Sequence, residues 1–265
     1  MNKRLIKQFI IIGIILLIII SVVSVFLFMP KPSCFDKIKN QKEEGIDCGG
    51  PCEPCQGLKN PQIIWLEVLP VKDSFYAIAA KIKNLNQNYG SGLIPFQFDF
   101  YDSFGNLVLS KTATTFLTPN QSKYLVETRI ISDVEIVSAK LSFGKIKWQK
   151  LDNFELPQII VTDKKYQFLS GQEGVFSKAS GVIVNKSNYD FDEIGVDIIL
   201  WGENNKLLGI NNTFAHTVLS GQERFFEALW TNRILEDVVS VEMEVETNVF
   251  DSENFIKKYG GYLTE

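Results

Sequence analysis

The chain is 265 residues long with a net charge of -4, a length that accommodates two domains and additional segments. The acidic balance supplies no basic footprint for nucleic acid, and a single histidine leaves little imidazole chemistry to draw on. Phenylalanine occurs 20 times and methionine three, and such aromatic richness favours strands over helices.

The first element is "FIIIGIILLIIISVVSVFLFM", residues 9–29, which carries no charge over 21 positions. A bilayer-spanning helix needs about 20 such residues. Lys3, Arg4 and Lys7 precede it, and short cationic flanks stay on the cytoplasmic side. The expectation is a cytoplasmic stub at 1–8, a transmembrane helix at 9–29 and an extracytoplasmic remainder, on the cell membrane. A cleaved signal peptide would carry a shorter apolar region, of about 7 to 15 residues, ending in an A-x-A-like site. Here Pro30, Lys31 and Pro32 follow directly. "PKPSC" before Cys34 also lacks the small and apolar residues of a lipoprotein signal.

A cysteine-rich collar follows, at 31–58. Cys34, Cys48, Cys52 and Cys55 are all the cysteines of the chain, spaced C-x13-C-x3-C-x2-C. Outside the cytoplasm this cluster reads as two disulfides, with three pairings open. In a reducing compartment it would read as a zinc site. So short a stretch cannot build an apolar core, and covalent staples have to hold it. Asp36, Asn40, Glu43 and Asp47 supply oxygens of the kind calcium takes, so a calcium site is one reading of the collar. The other reading is a stapled spacer with solvated acids. The run resembles a cysteine-rich motif of many secreted prokaryotic proteins, C-x-D-G-x-x-N-x-x-E-T-x-x-D-C-G-G-x-C-x-x-C. Cys34, Asp36, Asn40, Glu43, Asp47, Cys48, Gly49, Gly50, Cys52 and Cys55 match it, while Lys37 and Glu44 depart from it. The resemblance implies a surface module and no activity.

The remaining chain is a duplication. "PQII" occurs at Pro61 and Pro157, and "AAKIKNLNQNYG" from Ala79 parallels "SGVIVNKSNYD" from Ser180. "FQFDFYDSFGNLV" from Phe96 parallels "VDIILWGENNKLL" from Val196, and "PNQSKYL" from Pro119 parallels "SGQERFF" from Ser220. Finally "VSAKLSF" from Val137 parallels "VSVEMEV" from Val239. Within each copy the period is two. Phe96, Phe98 and Phe100 alternate with polar or outward residues, as do Val241, Met243 and Val245 with Glu242, Glu244 and Glu246. This alternation predicts half-buried strands with one face to the core and the other to water. Turn signals such as "DSFGN", "TPNQ", "ENNK" and "SGQ" separate the runs. The fold class expected is all-β: two tandem immunoglobulin-like antiparallel β-sandwiches, at 61–156 and 157–250, then a flexible tail at 251–265.

"FQFDFYDSFGN", preceded by "KIKNLNQN" and followed by "LTPNQ", resembles FxLYD-type domains of bacterial envelope proteins and is similar to CARDB-type adhesion modules. The match rests on Asn84, Phe100, Tyr101, Asp102, Gly105 and Gln121 in the first copy. Asn185, Trp201 and Gln222 keep it in the second, where Gly202 and Asn205 depart. The resemblance implies immunoglobulin-like sandwiches used for interaction outside the cell, and no catalytic site.

No P-loop, G-x-G-x-x-G, H-E-x-x-H or G-x-S-x-G is present. His216 would have to carry any nucleophilic triad alone, and paired acids in loops read as solvated charge. The chain is therefore expected not to be an enzyme and to need no cofactor beyond the calcium that the collar could hold. Tyr101 and Trp201 occupy matching positions on outward strand faces and form a candidate aromatic platform for a sugar or a partner. Asn120, Asn185 and Asn211 head glycosylation sequons. The functional expectation is an accessory subunit of an envelope complex or an adhesion module. Its partners would be the membrane, through residues 9–29, and a second envelope protein. The collar would stiffen the chain where it leaves the bilayer.

Overall fold

The computed structural model describes residues 12–21 and 33–255, apart from 44, 51, 53, 56, 152, 153 and 170–173. The chain divides into two compact units, Met1–Gly57 and Leu58–Glu265. In the first unit, residues 12–21 are helical. The rest of the predicted span, 9–11 and 22–29, lies outside the described residues. No helix among the described residues is long and apolar enough to cross a membrane.

The second unit is built of antiparallel strands, as the period of two predicts. Six of them come from the first repeat: β1 (Gln62–Lys72), β2 (Phe75–Lys83), β3 (Tyr89–Tyr101), β4 (Leu107–Leu117), β5 (Ser122–Ile131) and β6 (Ser138–Phe143). They form two sheets, β1-β2-β5 and β4-β3-β6, and the short β7 (Gln149–Lys150) pairs with the start of β3. The second repeat supplies β8 (Ile159–Phe168), β9 (Ser177–Asn185), β10 (Phe191–Trp201), β11 (Leu207–Val218), β12 (Glu223–Trp230) and β13 (Ser240–Glu246). Their sheets are β8-β9-β12 and β11-β10-β13, the same order strand for strand.

Each repeat closes over its own core. Phe96, Phe98 and Phe100 of β3 meet Ile78, Ala80 and Ile82 of β2 and Leu125 of β5. In the second repeat Ile183, Val196, Ile198, Phe226 and Met243 form the corresponding cluster, with Val241 and Val245 packed against it. The alternating apolar residues therefore face inward as their spacing requires.

One asparagine pins each corner. Asn84 is fully buried, and its Nδ2 donates to the Tyr89 carbonyl at 2.7 Å and the Thr118 carbonyl at 2.9 Å. Its Oδ1 accepts from the Asn86 amide at 3.0 Å, and its backbone amide donates to the Gln121 carbonyl. Asn185 repeats the arrangement with Tyr189, Leu219, Ser187 and Gln222. One residue thus ties together the chain ends of four strands in each repeat, three through its side chain and one through its backbone amide. This also removes Asn185 from any glycosylation, because its amide is consumed inside the protein.

The sequence places a flexible tail at 251–265, and its first five residues are docked instead. Phe255 packs on Phe191 at 5.3 Å and Tyr189 at 5.6 Å between ring centroids, and Asn254 Nδ2 donates to Thr247 Oγ1 at 2.7 Å. Just before them, Phe250 lies on the backbone of Gly90 and Gly92 in β3. A Cβ at Gly92 would stand 2.4 Å from the Phe250 Cβ. Gly92→Val should therefore destabilise the protein by about 1–3 kcal/mol through overpacking, measured by urea unfolding.

Candidate functional site

In the collar the pairing is Cys34–Cys52 and Cys48–Cys55, with Cα–Cα separations of 5.4 and 4.8 Å. Three of the four predicted oxygen ligands accept hydrogen bonds locally, while Asn40 Oδ1 is buried without a partner among the described residues. Asp36 accepts from Asn40 Nδ2 at 2.7 Å and from the amides of Ser33 and Ile38; the Asn40 bond, first among these, holds its carboxyl below the usual range. Both Asp47 oxygens accept from the Lys37 amide. Glu43 is buried and accepts from the amides of Asn40 and Asp47, while its other oxygen rests 3.0 Å from Cys52 Sγ. Among the described residues, no three of the collar's carboxylates bring oxygens within 4.8 Å of one another. The acids cap backbone amides of the tight turns at Lys37, Gln41, Lys42 and Asp47, all with positive φ. Reducing both bridges should unfold the collar, since a native disulfide contributes about 2–5 kcal/mol in a small module. Proteolysis within residues 34–55, with and without reductant, reads this directly.

Among the described residues, the largest concentration of buried charge lies between the two sandwiches of the second unit. The outer face of β1-β2-β5 is made by Trp65, Leu69, Ala77, Ala79, Tyr124 and Val126, and it packs on Ile199, Trp201, Leu207 and Ile210 of the second repeat. The alanines matter because small side chains let the opposing sheet approach. Glu242, Glu244 and Glu246 of β13 and Asp197 of β10 share this face, so the acidic side of "VEMEVE" meets the first repeat. The sequence expectation that it faces water is corrected here. Asp197 and Glu244 are directly opposed across β10 and β13, a destabilising placement for like charges.

Two lysines of the first repeat answer this ladder. Lys81 Nζ donates to Glu242 Oε1 at 2.9 Å, and Tyr124 OH donates to Glu242 Oε2 at 2.7 Å. Burial alone would raise the Glu242 pKa, but the donors Lys81, Tyr124 and Trp201 outweigh it and hold the carboxyl below its ordinary value. Lys123 is almost wholly buried, pairs with Glu246, and sets its ammonium 4.0 Å from the Phe116 ring centroid. Asp197 and Glu244 have no such partner. Burial pushes Asp197 well up, helped by Glu246, and pushes Glu244 up to about 7. Tyr124 is raised as well, chiefly by burial and by its bond to Glu242.

The two predicted aromatics do different things. Trp201 is covered, edge-on to Trp65 at 5.4 Å, with its Nε1–H donating to Glu242 Oε2 at 3.3 Å. Tyr101 stays half-buried on β3 with the Lys140 ammonium 5.1 Å from its ring centroid. His216 lies on β11 with its side chain 65% exposed and Nδ1 3.7 Å from Glu193.

Sequence reasoning passed over Lys81, Lys123, Tyr124, Trp65 and Asp197. Two signals were present. Lys123 shares strand parity with the core residue Leu125, an odd place for a lysine. Three glutamates on one strand face also call for counter-charge nearby.

Among the described residues, a largely apolar patch is left open beside the Lys178–Glu227 ion pair. On the outside of β8-β9-β12, Phe225, Leu229 and Ile160 are exposed beside Val182 and Val184. Phe225 pairs with Val182 in the same register as Tyr124 with Lys81. This is the face that, in the first repeat, holds its neighbour. Compared with known proteins, the chain matches no family model and no curated protein.

Proposed function

We propose that the chain is a membrane-anchored, extracytoplasmic interaction protein, held by residues 9–29 and carrying two immunoglobulin-like modules of the FxLYD or CARDB kind. The observation that carries this reading is the open face around Phe225. Its counterpart in the first repeat is occupied by a β-sheet, and its exposed apolar residues are those an interaction surface needs. The occupant proposed is a sheet of another envelope protein, apolar at its centre like the one covering the first repeat. The two disulfides favour an oxidising compartment. The shared strand order, β1-β2-β5 over β4-β3-β6, supports the immunoglobulin-like class. An exposed His216 beside a single carboxylate offers no assembled nucleophile and favours a non-catalytic role.

A photo-reactive residue at position 225 of the full chain, in native membranes, tests this. One adduct of discrete mass is expected at 225 and none at the exposed, polar Thr112 of β4. Val182→Glu should abolish that adduct while leaving the melting temperature unchanged. Equal labelling at 225 and 112, or an adduct indifferent to Val182→Glu, would contradict the reading. An adduct of twice the chain's own mass would replace the proposed occupant with a second copy.

A further inference from the structure

The junction has more negative than positive charge. Four carboxylates share it, and two of them, Glu242 and Glu246, have a lysine each. The two left over, Asp197 and Glu244, are the pair directly opposed across β10 and β13. Asp197 is 9% exposed, and its carboxylate accepts none of the side-chain hydrogen bonds found among the described residues. It lines a cleft of about 150 Å³ formed by both repeats, which Lys123 and Glu246 also line. Two unpaired carboxylates directly opposed, one buried and one half-buried, cannot both stay ionised without repelling each other and the face that holds them.

The surroundings leave one relief open. From β11 the residue opposite Asp197 is the uncharged Asn212. From the first repeat, β2 presents Lys81, and β5 presents Lys123 and the Tyr124 hydroxyl, all committed to Glu242 or Glu246. The other ion pair in the cleft wall, Lys111 of β4 with Glu127 of β5 at 2.7 Å, is self-neutralised. Lys164 of β8 donates to the Met243 carbonyl. No lysine pairs directly with either acid: Lys123 attracts both and Lys81 attracts Glu244, but burial outweighs them, and a proton supplies the remaining relief.

We infer that the junction is a proton-operated latch: a proton held by Asp197 and Glu244 closes the second sandwich onto the first, and its loss loosens them. The sign follows from the direction of the shifts. Burial raises both acids above their ordinary values in the closed junction, and separating the repeats would return them to water. Closed junctions therefore bind more protons, and closure is strongest below the ordinary carboxylate value, near 4.5 for Glu244. It weakens as pH rises from there to about 7, the value for Glu244 in place. The device is independent of what covers the Phe225 face, so its failure would leave that reading untouched.

Amide hydrogen exchange on the full chain, corrected for the intrinsic pH dependence, reads the latch strand by strand. Protection in β2, β5 and β13 should fall about tenfold or more between pH 5 and pH 8, a shift of one pKa unit being tenfold. Protection in β9, which lies in the far sheet of the second repeat, should not change. Glu244→Gln and Asp197→Asn remove the repulsion and should hold the junction strands protected at pH 8. Equal protection of β13 at the two pH values in the unaltered protein would overturn the proposal. So would an undiminished pH response in the Glu244→Gln, Asp197→Asn double variant.

Discussion

Lys123→Met should destabilise the protein by about 3–5 kcal/mol, the range for removing one partner of a buried ion pair. Lys123 is 2% exposed, so solvent cannot replace it. Its loss strands Glu246 beside Asp197 and Glu244, and it also removes the ammonium from the Phe116 ring. Methionine keeps the length of the stem, so the loss reports charge more than volume. Adding Glu246→Gln and Asp197→Asn should restore most of the stability, because the orphaned charges go with the lysine. Urea unfolding at constant pH measures all of these. The exposed pair Lys206–Glu236, at 2.6 Å, is the control: Lys206→Met should change stability by less than about 1 kcal/mol. Equal effects at the two lysines would mean that the junction is not the electrostatic centre of the unit.

The second large effect is expected at the corner asparagines. Asn185→Ala removes donors from the Tyr189 and Leu219 carbonyls and the acceptor from the Ser187 amide, all at a side chain with no solvent access. At about 1–3 kcal/mol for each buried group left unpaired, a loss of roughly 3–5 kcal/mol follows. Asn84→Ala should cost a similar amount, since it makes the same set of bonds one repeat earlier. Aspartate at either position should be no rescue. It cannot donate to the two carbonyls, and it brings a charge into a dry corner.

These two sites differ in how far the sequence revealed them. Asn84 and Asn185 stand out because they recur at matching places beside matching Gln121 and Gln222, so the duplication exposes them. The cores of β3 and β13 were legible too, because a period of two separates Phe98 from Gln97 and Met243 from Glu242. What alternation cannot say is where the second face goes. Glu242, Glu244 and Glu246 look like solvated positions until another sandwich is laid over them, and the lysines that answer them lie far away in the chain, in β2 and β5. Trp201 looks open in the sequence for the same reason, and Trp65 covers it. Disulfide connectivity is likewise set by three-dimensional placement, which spacing does not encode. Phe255 is a single aromatic in a segment without period, and only Phe191 and Tyr189 reveal why it is held.

The packed junction is expected to make the two sandwiches one cooperative body. Scanning calorimetry of the full chain at pH 5, with Glu244 protonated, tests it most directly. A single transition is predicted for the sandwiches, with calorimetric and van't Hoff enthalpies equal. Two separate transitions, each carrying about half the heat and each unmoved by Lys123→Met, would contradict it.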